Sequence, residues 1–312
     1  MIAAGEMSNL ATSFEPFRRR LLGLAYRMLG SVADAEDAVQ ETYLRWHAAD
    51  RDKVSDPKAL LMTITARICL DMLTSARARR EEYVGPWLPE PVVDTAALAP
   101  DSRTELAEDL SIALLLTLDR LSPLERAAFL LHDVFDFPFS EVAATLERSE
   151  AACRKLAARA REHVRTVRPR GTLAPPARSG PIDAKHEQFI SAFIAATRSG
   201  DLDALTQMLA SDVRVATDGG GKVAAALNVL NGADHAARFL IGTARKGWRE
   251  DFTLRFATIN GLPGVIVYAP EGPVQTAAFE MEGDAVRALY VVRNPEKLRH
   301  LTLSTPQENS PG

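Results

Sequence analysis

The segment Ser140-Glu-Val-Ala-Ala-Thr-Leu-Glu-Arg-Ser149-Glu-Ala-Ala-Cys-Arg-Lys-Leu-Ala-Ala-Arg-Ala-Arg-Glu-His-Val-Arg165 reads as two helices joined by a tight turn. Val142, Ala143 and Leu146 give the first helix, Glu141 to Leu146, an apolar side, and Ser140 and Ser149 are suited to cap the two helices. On the second helix Cys153, Leu156, Ala157, Ala160 and Val164 recur at helical spacing and make an inward stripe. Arg154, Arg161 and Arg165 share another face, with Lys155 and Arg159 beside them. This is the spacing of a helix-turn-helix, whose second helix can enter a major groove and offer cations to phosphates or guanine edges. Charge agrees, because residues 148–170 hold eight Lys or Arg against two Glu. The whole chain of 312 residues has a formal net charge of −4, which argues against a protein that coats nucleic acid. Basic charge is therefore local.

Working back toward the N-terminus, Ser122-Pro-Leu-Glu125 has the pattern of a capping box with proline at the first helical position. A second helical block is expected from about residue 105 to 170. Before it, periodicity disappears from Glu81 to about residue 104, a stretch with Pro86, Pro89, Pro91 and Pro100. Each proline biases its predecessor away from helix, so this reads as an extended, acidic linker. A first helical block spans 14–80. There Ala35, Ala38, Val39, Thr42, Tyr43 and Trp46 form one apolar stripe, opposite Glu36, Asp37, Gln40, Glu41 and Arg45. After the charged loop 50–56, Pro57 suits a new helix start, with Leu61, Ile64, Ile68 and Met72 in helical period.

Beyond a Pro- and Gly-containing linker at 171–184 the pattern becomes mixed. Helices are expected at 183–199, 201–209 and about 233–246. Strands are expected at Val213–Thr217, Phe252–Ile259, Val265–Tyr268, Val274–Met281 and Val286–Val292, the last two joined by the turn Glu282-Gly-Asp284. Together they read as an α+β domain of helices on one curved antiparallel sheet, over 185–301, followed by a flexible tail, 302–312.

Several chemistries are excluded or disfavoured. Cys69 and Cys153 lack a CxxC pattern or a nearby His pair, so neither a disulfide framework nor a metal site is expected. The apolar run Ile112–Leu118 is far shorter than a membrane span, and Met1 to Phe17 has no signal-peptide core. The expectation is a soluble cytoplasmic chain. Gly219-Gly-Gly-Lys222 is not a phosphate loop, because Ala216 stands where its first glycine should be and Val223 where Ser or Thr should follow. Asp212, Asp218 and His235 are isolated polar residues of the last segment, and no paired acid and base can be read from their spacing. No cofactor, metal or catalytic residue is called for.

Asp34-Ala-Glu-Asp-Ala-Val-Gln-Glu-Thr-Tyr-Leu-Arg-Trp46 resembles the second conserved region of the small extracytoplasmic-function group of sigma-70 factors. Ser122 to Leu131 and Ser149 to Arg161 resemble that family's fourth region. The remainder resembles the subgroup carrying a C-terminal SnoaL-like domain of NTF2-like fold, on Trp87-Leu-Pro-Glu-Pro91, Asp218-Gly-Gly-Gly-Lys222 and Asn294-Pro-Glu-Lys-Leu298. The chain departs from the family pattern at Glu147, where a glycine is common, and at Ile68, where many relatives carry a polar residue.

The resemblance implies two all-α domains, the second with the helix-turn-helix, then the NTF2-like domain, in a non-enzymatic promoter-specificity subunit. Its implied partners are core RNA polymerase, bound by Asp37, Gln40, Glu41 and Arg45, and promoter DNA. Lys58, Thr63, Arg67 and Arg77 would serve the minus-ten element, and Arg154, Lys155, Arg159, Arg161 and Arg165 the minus-thirty-five element. Trp87, Pro89, Asp218, Gly219, Gly220, Gly221, Lys222, Asn294, Pro295 and Leu298 would form regulatory contacts between domains, and a small ligand could occupy the C-terminal pocket. The rival reading is an NTF2-like enzyme or ligand-responsive repressor with fused DNA-binding domains. The acidic side of helix 34–49 speaks against it.

Overall fold

The computed structural model describes residues 4–49, 54–81, 83–93, 110–167 and 182–301, with backbone alone over 4–12, 75–81 and 167. The start of the second helical block near 105, residues 50–53 of the charged loop, the linker up to 181 and the tail 302–312 lie outside the described residues. By contact the chain divides into two units, one of residues 1–83 and 94–180 and one of 84–93 and 181–312.

The first unit is helical: α1 (Ala4–Leu29), α2 (Val32–Ala48), α3 (Pro57–Glu81), α4 (Ile112–Asp119), α5 (Pro123–Phe129), α6 (Phe139–Leu146) and α7 (Glu150–Val167). Ser31 caps α2, and its stripe Ala35, Ala38, Val39, Thr42 and Trp46 is buried as the period predicts. Ile68 is buried at 5% exposure, which accounts for an apolar residue there: it packs in the core. The capping box at Ser122 and Glu125 is formed with both of its reciprocal bonds, after which α5 runs into a π-helical turn, Leu130–Val134. Ser140 does not cap α6. The helix starts two residues earlier than expected, at Phe139 behind Pro138, whose extended backbone precedes the first turn and leaves Ser140 inside it. Ser149 Oγ does accept from the Ala152 amide, as a cap of α7 should.

Glu147 ends α6 in the left-handed region, at φ 54°. A non-glycine residue there is strained by about 1–2 kcal/mol. Arg67 supports the same turn from α3: its guanidinium donates to the carbonyls of Thr145 and Ala144 at 3.0 and 2.9 Å. A cation at a helix C-terminus satisfies carbonyls that have no partner within the helix.

The second unit consists of α8 (Ala184–Ser199), α9 (Leu202–Gln207), β1 (Leu209–Asp218), β2 (Leu230–Asn231), α10 (Ala233–Gly247), β3 (Thr253–Ile259), β4 (Leu262–Ala269), β5 (Gly272–Glu282), β6 (Ala285–Val292) and α11 (Pro295–Leu298). Gly200 separates α8 from α9 with the left-handed C-cap that its lack of a Cβ permits. Helices lie on one six-stranded sheet of order β2-β1-β6-β5-β4-β3, the expected α+β architecture. The sheet is mixed, not antiparallel throughout, because β1 runs parallel to β6, pairing Val215 with Leu289 and Thr217 with Val291. β1 and β6 are joined by β2, α10 and the β3–β5 meander, a connection long enough to permit parallel pairing. The core is built by Phe193, Leu205, Val215, Phe279 and Leu289 from both layers.

Candidate functional site

On α2 the apolar stripe faces inward, so Asp37, Gln40 and Arg45 are exposed and Glu41 is half-buried. Arg45 Nε donates to Glu41 at 2.9 Å, a one-turn ion pair. Between them stands Leu44, 56% exposed, an apolar residue that the sequence reading passed over. The steps 37, 40, 41, 44 and 45 put all five on one side of the helix.

On α7 the inward stripe is formed by buried Cys153, Ala157, Ala160 and Val164. Burial pushes the thiols of Cys69 and Cys153 up, the opposite of what a thiolate nucleophile requires. The basic residues are not equivalent. Arg154 is exposed, paired to Glu150 at 2.8 Å and set 5.0 Å over the Phe139 ring. Lys155 is exposed, Arg159 lies 3.9 Å from Glu125, and Arg165 lies 3.8 Å from Glu162. Arg161 is turned inward, donating to Asp133 at 2.7 Å.

Three of the four residues expected at the minus-ten element have partners within the same unit. Thr63 shares a hydroxyl bond of 3.0 Å with Thr145, Arg67 holds the end of α6 and approaches Glu147 at 3.2 Å, and Lys58 lies 5.9 Å from the Phe137 ring. Arg77 lies on α3, with its side chain outside the described residues.

In the second unit the three short motifs meet. Residues 88–92, expected as part of a linker, are buried one after another. Asp218, with 0% exposure, accepts the Leu88 amide at 2.8 Å and the Lys297 ammonium at 2.7 Å. Lys297 also donates to the Leu88 carbonyl and lies 4.5 Å from the Trp87 ring, so its three protons are directed at a carboxylate, a carbonyl and a π face. Asn260 pairs with Val92 both ways, amide to carbonyl at 2.8 Å and Val92 amide to Asn260 Oδ1 at 3.0 Å. His300 Nε2 meets the Pro91 carbonyl at 2.7 Å. The strand end is fixed in turn: the amides of Arg293 and Asn294 donate to the Asp218 carbonyl, and Asn294 caps α11, which starts at Pro295 and buries Leu298.

The glycines make room for this clasp. A Cβ on Gly219 would fall 2.3 Å from the Val223 carbonyl oxygen, and Gly221, at φ 70°, lies against Val84. Lys222 pairs with Glu296, whose carboxyl it holds below the usual range. Sequence reasoning named Asp218 and the residues flanking Lys297 but missed Lys297 itself, Asn260 and His300. Lys297 was visible within the quoted motif Asn294 to Leu298.

On the other side of β1 a cavity of about 340 Å³ opens between α8, α10 and the sheet, lined by Phe193, Thr217, Phe239, Trp248, Phe279 and Leu289 among others. Asp212, Asp218 and His235 are not among its lining residues. Asp212 and His235 are on the surface, and Asp218 points into the clasp. Strand alternation explains the last: Thr217 faces the cavity, so its neighbour faces away. Among the described residues no group of His, Cys, Asp and Glu could hold a metal ion, and no helix is long and apolar enough to cross a membrane.

Residues 14–79 match the family model of sigma-70 region 2, and 111–164 that of sigma-70 region 4. The chain is 41% identical to the extracytoplasmic-function RNA polymerase sigma factor SigJ of Mycobacterium tuberculosis, over 92% of each chain. It is 30% identical to the probable sigma factor SigI of the same organism, over 93% of this chain and 94% of that one. The crystal structure of M. tuberculosis SigJ superposes with a TM-score of 0.67 at 35% identity, covering 93% of this chain and 98% of that one. Two sigma regions in order, a helix-turn-helix with a basic second helix, and likeness along nearly the full length place this chain in the extracytoplasmic-function family of RNA polymerase sigma factors, the subunits that direct promoter-specific initiation.

Proposed function

We propose that this sigma factor is modulated in cis by its C-terminal unit, which acts by holding residues 84–93. Asp37, Gln40, Glu41 and Arg45 dock on basic helices of the core polymerase, with Leu44 adding apolar contact at their centre. Lys58, Thr63, Arg67 and Arg77 serve the minus-ten element, and Arg154, Lys155, Arg159, Arg161 and Arg165 the minus-thirty-five element. The protein acts in the cytoplasm, without an enzymatic step, and its C-terminal cavity receives a small ligand.

The observation that carries the reading is the buried bonding of Asp218 and Lys297 to the backbone of Leu88. In sequence, residues 84–93 join the two sigma blocks, yet by contact they belong to the second unit. Promoter binding requires the two blocks to reach separate elements, and fixing part of their connection restricts that reach. Thr63 and Arg67 are engaged with α6, so promoter opening requires them to exchange partners.

Hydrogen exchange at Val92, combined with run-off transcription, tests the proposal. The Val92 amide is expected to be protected in the full chain. Asn260→Ala should expose it and change transcript yield without moving the start site. Faster exchange with an unchanged yield would contradict modulation through this segment.

A further inference from the structure

Arg293 and Gln275 stand next to each other at one end of the cavity. The β5–β6 register pairs Thr276 with Val292 and Ala277 with Val291, which sets Gln275 across from Arg293 just beyond the strand. Both line the cavity. Arg293 donates one nitrogen to the Ala224 carbonyl, but its Nε is buried with no hydrogen-bond partner, and among the described residues it has no carboxylate partner. Burial pulls its guanidinium below the ordinary range. A partly buried cation of this kind is ordinarily paired with an anion. At the mouth, Arg198 lies 4.6 Å over the Trp248 ring, and Arg249 is held by Asp251 and Glu271. Apart from the hydroxyls of Thr197, Thr217 and Thr243 the rest of the lining is hydrocarbon and aromatic, and the volume falls at the small end of the range of roughly 300–1,000 Å³ for ligand sites.

From this arrangement we propose that the cavity binds a small organic acid, its apolar body among Phe193, Phe239, Phe279 and Leu289 and its carboxylate on Arg293 and Gln275. A planar guanidinium meets a carboxylate with two parallel bonds, and the Gln275 amide supplies a further donor. The site also adjoins the clasp. The Arg293 amide donates to the Asp218 carbonyl, and Thr217 in the cavity wall precedes Asp218 in β1, so an occupant bears on the strand end that holds Leu88.

This proposal rests on the reading that the cavity receives a small ligand, and the test separates the two. Decanoate and 2-naphthoate, each beside its neutral alcohol, decanol or 2-naphthylmethanol, are titrated calorimetrically into the full-length chain. At least one acid is expected to bind at one site per chain, about tenfold or more tighter than its alcohol, the margin of a charge-assisted pair. Arg293→Gln should bring acid and alcohol together. Ala277→Phe, which fills the cavity, should weaken both, with thermal melting used to verify that each variant is folded. Equal affinity of acid and alcohol in the parent chain would overturn the acid assignment and leave the small-ligand reading standing. Binding of none of the four compounds would overturn both, and binding unaffected by Ala277→Phe would place the ligand elsewhere.

Discussion

Lys297 and Asp218 join positions 79 residues apart, and the ammonium group also reaches the Leu88 carbonyl 209 residues away. Such a pair is worth little more than a hydrophobic replacement when both partners are exchanged, but removing one leaves a buried charge alone. Lys297→Met should therefore cost about 3–5 kcal/mol in the unfolding of the C-terminal unit. Urea denaturation followed by tryptophan fluorescence measures it, and a loss under about 1 kcal/mol would mean that water reaches Asp218. Glu147 offers the opposite case. Glycine relieves the left-handed backbone but loosens the unfolded chain, so Glu147→Gly should stabilise the helical unit by roughly 1 kcal/mol. Its ion pair with Arg67 is exposed and takes little away. The sequence shows both sites unequally. Glu147 stands out in a turn where a glycine is common in the family, whereas the partners of Lys297, Asn260 and Arg293 lie too far along the chain for spacing to reveal them.

Helix α2 shows what periodicity conveys and what it omits. Its buried stripe and polar side were legible because a 3.6-residue period assigns every side chain to a face. Leu44 was not, since an apolar residue on the polar side breaks the pattern. If the core polymerase covers it, Leu44→Ala should weaken binding by about 1–2 kcal/mol while leaving helix stability unchanged, and Asp37→Arg should weaken it through charge. Fluorescence titration with core enzyme checks both. Helix α7 was equally legible, but the inward turn of Arg161 depends on Asp133 in the preceding π-helical turn, which no helical pattern predicts. Arg154→Ala should cost about 1–3 kcal/mol and relax preference at one base pair, whereas Lys155→Ala should weaken all sequences alike and lower the salt slope by about 1. Binding to minus-thirty-five variants across a salt series distinguishes them. Strand positions in the C-terminal unit, apart from the short β2, followed from β-rich runs bounded by turns. The parallel β1–β6 pairing did not, because such runs say nothing of strand direction.

Across the whole molecule, pattern placed the boundary between all-helical and mixed architecture, and three short motifs were marked for regulatory contacts between domains, whereas their bonds lie within one unit. What they do together became clear once Leu88 and Val92 were found bonded to Asp218, Lys297 and Asn260. Residues 84–93 of the segment between the sigma blocks then belong by contact to the C-terminal unit, with Leu88 and Val92 buried. Prolines 86, 89 and 91 suit it to this role, since they keep the chain extended and reduce the amides that burial must satisfy. On the proposal made above, the C-terminal unit of this sigma factor governs its promoter activity by gripping that segment. Run-off transcription with core polymerase on fragments of the source genome tests it most directly, comparing the full chain with Asn260→Ala and Lys222→Glu. Discrete start sites that require the chain and are shared by all three proteins are expected, with yields that differ between parent and variants. Absence of chain-dependent start sites, or equal yields from all three, would contradict it.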